Sequence, residues 1–359
     1  MNNWREQGKA PMLNSFSMIW VLTPLIIIVI SSCAPYRYLS METLNPASIT
    51  LPVDMRRILI VNNALPQDEV PFESNYHQLS ESVTLSVDSA AFEFCRTLGE
   101  TLADFSGFDD VRLLEGCLRT DMLPLLAPTL QRDDVELLCD EHETDIVISL
   151  DRLLYRVSES DDYMFGIPLQ NMFHVETMGV LRVYMPGRET PLANIMLGDT
   201  LIFDLWYEQN DEDVWNSLNS INPDNLFNIS ARYIANEART HFIPYWSEDL
   251  RWYYTSFTAD WKEATAYAGS EKWDKAVAIW KKLYGQTTSW KQRARLCSNL
   301  ALGAEMTGDF EQALQYAKLS HQLMLDHLGA DHLNTKKQEL YVNVLTSRIT
   351  EEQKLKLQM

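Results

Sequence analysis

The period of the apolar positions changes repeatedly along the chain, and each change marks a segment. Phe16 to Ile30 is a continuous apolar run, FSMIWVLTPLIIIVI, preceded by Arg5 and Lys9 and ended by Ser31-Ser32-Cys33. It is 15 residues long and Pro24 interrupts it, whereas a membrane span needs about 20 apolar residues. A basic start, a short apolar core and small residues at its end predict a secretory signal peptide over residues 1–32. From 33 to 55 the periodicity is weak and Pro35, Pro46 and Pro52 recur, which predicts a tether.

The run Arg57 to Val61 is β-branched and apolar and ends at Asn62-Asn63, the pattern of a buried strand. Between Ser89 and Phe105 the residues Phe94, Leu98, Leu102 and Phe105 recur at three and four positions, which predicts an amphipathic helix. Val111 to Leu114 predicts a second strand. Val135, Leu138 and Cys139 mark a second helix capped by Asp133, and 145–157 (DIVISLDRLLYRV) a long third strand. Alternation of Val175, Thr177, Gly179, Leu181 and Val183 predicts a fourth strand, Pro186-Gly187 a turn, and 192–206 a fifth strand. This order requires crossovers first and hairpins later, hence a mixed sheet with helices packed on it over residues 56–224. In element order the domain resembles the periplasmic domains of the curli-secretion lipoprotein and the amino-terminal domain of the Tol translocation protein.

Residues 225–258 read as an aromatic helical hinge. Ile229, Tyr233, Ile234 and Ala238 share a helix face, and the run continues through Tyr245-Trp246 and Arg251-Trp252-Tyr253-Tyr254. Aromatics at this density beside one arginine suit a stacking and cation–π platform for a ligand, or a seam that packs two domains together.

From 259 to 359 the texture is helical with regularly placed alanines. Ala264, Tyr267, Trp273, Ala276 and Trp280 form one group, and Leu300, Ala301, Gly308, Phe310, Ala313 and Ala317 a second. Small residues let the helices of a pair approach closely while the large aromatics fill the space between layers. These spacings, and Gly308-Asp309-Phe310-Glu311-Gln312-Ala313 above all, resemble the tetratricopeptide repeat family. Leu333 to Leu357 then serves as a terminal cap. The fold class expected is therefore α+β: a mixed-sheet α/β amino-terminal domain followed by an all-α tetratricopeptide-repeat region.

Charge separates the same two regions. The formal net charge of the 359 residues is -20, but residues 259–359 hold 14 basic and 12 acidic side chains. Residues 33–258 carry -23, with 14 arginines and no lysine between Lys9 and Lys262. Affinity for nucleic acid comes largely from clustered cations that release counterions, so a nucleic-acid binder is excluded. Lysine chemistry is excluded from the acidic segment. No G-x-G pair occurs among the 13 glycines, so the usual dinucleotide fingerprint is absent.

The search for catalytic chemistry yields little. His321, His327 and His332 are close in sequence, but His321 and His327 are six residues apart, about 240° around a helix, so no metal site is expected there. The clusters Asp161-Asp162 and Asp211-Glu212-Asp213 lack calcium-loop spacing, and no C-x-x-C occurs. The even set Cys95, Cys117, Cys139 and Cys297 permits disulfides, although Cys95 and Cys139 sit in apolar helical patterns as core thiols do. No cofactor and no catalytic residue is expected.

Ile30-Ser31-Ser32-Cys33 resembles the bacterial lipobox. The resemblance implies diacylglycerol on Cys33, cleavage before it, and a lipid-anchored protein on the periplasmic face of the outer membrane. Together, the lipobox, the α/β body, the aromatic segment and the repeats resemble uncharacterised Bacteroidetes lipoproteins with tetratricopeptide repeats, domain-of-unknown-function family 6340, over nearly the whole mature chain. That resemblance implies no assigned activity. The function expected is a non-enzymatic interaction or scaffolding module for an unknown protein or peptide, held to the membrane through Cys33. Trp246, Arg251, Trp252, Tyr253, Lys262, Lys291, Arg295 and Asn299 are the candidate partner-binding residues. The alternative is a small-ligand binder or hydrolase with its site on the acidic α/β domain, where paired carboxylates would mark it.

Overall fold

The computed structural model describes residues 36–65, 67, 70, 72–73, 89–119, 128–159, 163–164, 167–168, 172–204 and 223–359. The signal peptide, Cys33 and both acidic loop clusters lie outside the described residues. The described chain separates into two compact units. One contains residues 44–247 and 351–359, the other residues up to 43 and 248–350.

The first unit is a mixed α/β region. Its elements are strands β2 (Arg57–Asn62), β3 (Phe72–Glu73), β4 (Asp110–Cys117), β5 (Ile146–Glu159), β6 (Tyr163–Met164), β7 (Ile167–Pro168), β8 (Met172–Tyr184) and β9 (Ala193–Asp204), with helices α1 (Ala90–Ala103), α2 (Arg132–His142) and α3 (Pro223–Ala238). The main sheet runs β4-β2-β5-β8-β9, with β3 beside β5, and β6 pairs with β7. β2 is parallel to β4 and β5, whereas β5, β8 and β9 are antiparallel. Crossovers thus come first and hairpins follow. Both faces of β2 are covered, so Ile58, Leu59, Ile60 and Val61 are all buried. Ile58 and Ile60 join the larger core with Phe94 and Leu98 of α1 and Phe227 and Ile234 of α3. Leu59 and Val61 face Val135 and Leu138 of α2.

A β-bulge lies at Asp151 of β5, between the pairs Leu150–Leu181 and Arg152–Val180. The extra residue reverses which side chains face the core. Ile146, Ile148 and Leu150 point to it before the bulge, and Leu153, Tyr155 and Val157 after it. Asp151 is buried on the opposite face, where its Oδ1 accepts hydrogen bonds from Ser149 Oγ (2.6 Å) and Asn63 Nδ2 (3.1 Å). Arg182 Nη1 lies 2.8 Å from its Oδ2. Burial raises the Asp151 pKa, against these partners.

The second unit is helical. It holds α4 (Ala259–Ala268), α5 (Trp273–Gln286), α6 (Trp290–Met306) and α7 (Phe310–Leu328), with α8 (Leu333–Gln358) as far as Thr350. Ala264, Ala276, Ala301, Ala313 and Ala317 are fully buried. At Gly303 of α6 a Cβ would collide with Val277 of α5, so the two helices meet there with no room for a side chain. Gly308 turns the chain between α6 and α7 at φ +79, which favours glycine. Asp309 caps α7 by accepting from the Gln312 N–H at 3.0 Å.

Two expectations are corrected. The segment read as a tether contains β1 (Tyr36–Asn45), which pairs with β10 (Tyr245–Tyr254). Only Thr43 of β1 is fully buried, so its strand period is faint in the sequence. The segment read as a helical hinge is helix only to Ala238, followed by a short 3-10 turn over Arg239–His241 and then β10. Pro244 cannot continue a helix, and the aromatic residues beyond it favour a strand.

Candidate anion-binding site

The aromatic segment is mostly interior. Trp246 is exposed, but Tyr253 and Tyr254 are buried in the helical core with Trp261, Trp273 and Trp280. Arg251 of β10 is buried as well. Its Nη2 lies 2.9 Å from Oε1 of Glu305 on α6, and Tyr341 of α8 donates to Glu305 Oε2 at 2.7 Å. Burial disfavours the Arg251 charge, yet Glu305 outweighs it and raises the Arg251 pKa. Burial, reinforced by Glu305, raises the Tyr341 pKa. Asn299 is fully buried and pairs with the backbone of Tyr254 like a neighbouring strand: Oδ1 accepts from Tyr254 N–H at 2.7 Å, and Nδ2 donates to its carbonyl at 2.9 Å. Arg251, Tyr253 and Asn299 therefore hold the fold together and do not face a partner groove. This is a correction, since from sequence all three belonged to the candidate binding set.

A lysine of the chain itself lies against these aromatics. The Lys337 ammonium on α8 lies 4.1 Å from the Trp252 ring centroid, 4.2 Å from Tyr36 and 4.9 Å from Tyr38. Burial lowers the Lys337 pKa. Lys262 is exposed on α4.

Two of the predicted cations do come together. Lys291 and Arg295 stand one turn apart near the start of α6 and line a cavity of about 140 Å³ with Tyr254, Trp290, His332 and Asn334. Met324 and Leu328 of α7 form its apolar wall. The Arg295 guanidinium lies 5.5 Å from the Tyr254 ring centroid, and Trp290 is stacked on His327 at 4.3 Å, which fixes the indole. His332 Nδ1 accepts from Asn334 N–H at 3.1 Å. No aspartate or glutamate lines the cavity, and neither Lys291 nor Arg295 is ion-paired among the described residues.

Size limits the occupant. A water molecule takes up about 30 Å³ in the liquid, and sites for whole small molecules span about 300–1,000 Å³. A volume of 140 Å³ suits one anionic group with a few attached atoms. Lys291 and Arg295 belong to the candidate set read from the sequence. Trp290, His332 and Asn334 carried no signal for this pocket, because only the packing of α6 against α7 and the start of α8 brings them to the same place.

The α/β unit has a larger cavity of about 280 Å³ between Phe105, Phe108, Phe242 and Leu357, with no aspartate or glutamate side chain on its wall. Cys95, Cys117, Cys139 and Cys297 are all free thiols. Among the described residues no helix is long and apolar enough to cross a membrane, and no group of three or more His, Cys, Asp or Glu could hold a metal ion.

Two family models match the chain, domain of unknown function 8603 over residues 55–254 and domain of unknown function 6340 over residues 262–347. The family expected over nearly the whole mature chain is thus matched on the helices, and a different family on the α/β region. No curated protein matches. Among solved structures, a dodecamer of a PelC variant from Paraburkholderia phytofirmans is 10% identical, with a TM-score of 0.24 over 57% of this chain and 97% of that one. The hypothetical protein CT253 from Chlamydia trachomatis is 12% identical, with a TM-score of 0.28 over 52% of this chain and 97% of that one. The first family model spans more than half of the chain, which therefore belongs to the family of domain of unknown function 8603 and carries a segment matching domain of unknown function 6340 on its helices.

Proposed function

We propose that this protein is a lipid-anchored, non-enzymatic interaction module of the cell envelope, whose helices are tetratricopeptide units that grip the anionic end of an extended peptide. The observation that carries this reading is the pairing of Lys291 and Arg295, without a carboxylate, around a pocket sized for one anionic group. In a chain of net charge -20, cations free of carboxylate partners are available to an outside anion. The buried alanines and the Gly308-Asp309 turn support the repeat assignment. The signal-like run and the Cys33 motif support lipid anchoring, with the periplasmic face of an outer membrane as the location. Multiple acyl chains at about 0.8 kcal/mol per buried CH2 would hold it there stably.

The test is calorimetric titration of the full chain with an acidic pentapeptide bearing a free carboxyl terminus, against its amidated Asn/Gln counterpart. Binding of the acidic peptide alone, weakened by added salt, is the expected result. Equal binding of both, or of neither, would remove the anion from the proposal. Mass spectrometry of the envelope-derived protein tests the anchor by the added mass at Cys33.

A further inference from the structure

The start of β1 leaves almost no slack between the candidate anchor and the helical unit. Tyr36 is the third residue after Cys33, and three residues span at most about 11 Å when fully extended. Tyr36 and Tyr38 belong to the helical unit and are held there by Lys337, whose ammonium lies 4.2 and 4.9 Å from their ring centroids. A lipid on Cys33 therefore fixes this part of the helical unit close to the headgroups, which add about 5–8 Å to each side of the hydrocarbon core.

The same face of α8 carries an apolar stripe. Leu333, Lys337, Leu340 and Val344 fall within about 60° of arc at 100° per residue, beside the buried face of Gln338, Tyr341 and Leu345, whose centre lies about 100° further round the helix. Leu333 is 78% exposed and Leu340 65%, and on β1 Tyr38 is 54% exposed. Lys336 flanks the stripe and is exposed, as is Arg37. Leucines with a tyrosine and basic residues at their border are the make-up of a surface that sits at the boundary of headgroups and acyl chains.

Resting on the lipid anchor proposed above, we infer that the face of the helical unit bearing Tyr38, Leu333 and Leu340 docks on the membrane that holds the Cys33 lipid. The lipid and the stripe then act as two linked contacts, the first supplying a high effective concentration for the second.

The acylated full chain in phosphatidylethanolamine–phosphatidylglycerol vesicles provides the test. An environment-sensitive dye is placed at Leu340→Cys in a Cys117→Ser background, since the other described cysteines are buried, and quenched by spin-labelled lipid. Quenching at position 340 severalfold above that at the exposed position Lys281→Cys is expected. It should fall toward the control when twelve Gly/Ser residues, about 20 Å of flexible chain, are inserted between Pro35 and Tyr36. With acylation confirmed by mass, equal quenching at 340 and 281 overturns the docking inference and leaves the anchor standing. A dye at 340 shielded from water but untouched by the lipid quencher, together with a doubled mass in light scattering, assigns the stripe to a second copy and also overturns it. Absence of acyl mass on Cys33 removes the anchor, and the inference with it.

Discussion

Truncating Glu305 to alanine should unfold the helical unit at a much lower temperature. The Arg251 side chain is 7% exposed and that of Glu305 fully buried, and the two are joined at 2.9 Å with Tyr341 donating at 2.7 Å to the same carboxylate. Glu305→Ala leaves a guanidinium without its main counter-charge and a phenol without its acceptor, both away from water. Removing one partner of a buried pair costs about 3–5 kcal/mol. For a unit of this size each kcal/mol is worth about 4 °C or more, so its midpoint should fall by roughly 10–20 °C. Circular dichroism at 222 nm, where the helices dominate, follows the transition. Replacing all three groups, Arg251→Met, Glu305→Met and Tyr341→Phe, should recover most of the loss, because an apolar set of similar volume carries no desolvation cost. If Glu305→Ala costs under about 1 kcal/mol, as at an exposed pair, the network is wet and the reasoning fails.

Further outcomes follow from single contacts. Gly303→Ala should destabilise the helical unit by about 1–3 kcal/mol through overpacking against Val277, measured by urea unfolding. Hydrogen bonds from Arg57, opposed by some burial, hold the Asp145 carboxylate below its ordinary value of 3.8. The stability it adds is present above pH 3.8 and disappears as pH falls through the lower folded value, so the gap between wild type and Asp145→Asn should be level near pH 7 and close in acid. Of Cys95, Cys117, Cys139 and Cys297, only Cys117 should react with a thiol reagent in the native protein. Burial raises the other three, Cys297 to about 11.

Much of the fold is legible where a residue's local pattern and its burial agree. Ile58 to Val61 read as a two-faced buried strand because both faces are covered, and Phe94, Leu98 and Leu102 as a helix because one face is. Asp151 shows what pattern alone conceals. Residues 145–157 can be read as one strand, but the bulge that reverses its facing shows only in the pairing with β8. β1 is not legible in the sequence because its period is faint and its partner, β10, lies some 200 residues later. In the candidate site, Lys291 and Arg295 stand out from sequence as cations on the first helix of a repeat unit. The same reading also included Asn299, whose amide turns inward because the backbone of Tyr254 needs a partner there. The aromatic segment reads from sequence as a ligand platform or a packing seam, and Lys337, more than eighty residues away in sequence, lies against its Trp252 ring.

The most direct test of the central claim is the affinity of Arg295→Gln and Lys291→Gln for the acidic pentapeptide. Neither residue is ion-paired within the protein among the described residues, so Lys291→Gln should melt at the wild-type temperature and Arg295→Gln within about 5 °C of it, since only the contact with the Tyr254 ring is lost. A hydrogen bond to a charged group is worth about 1.5–3 kcal/mol, so Arg295→Gln should weaken binding about tenfold or more, with a smaller loss at the more exposed Lys291. Unchanged affinity in a folded Arg295→Gln protein would contradict the assignment of this pocket as the place where the partner's anionic group is held.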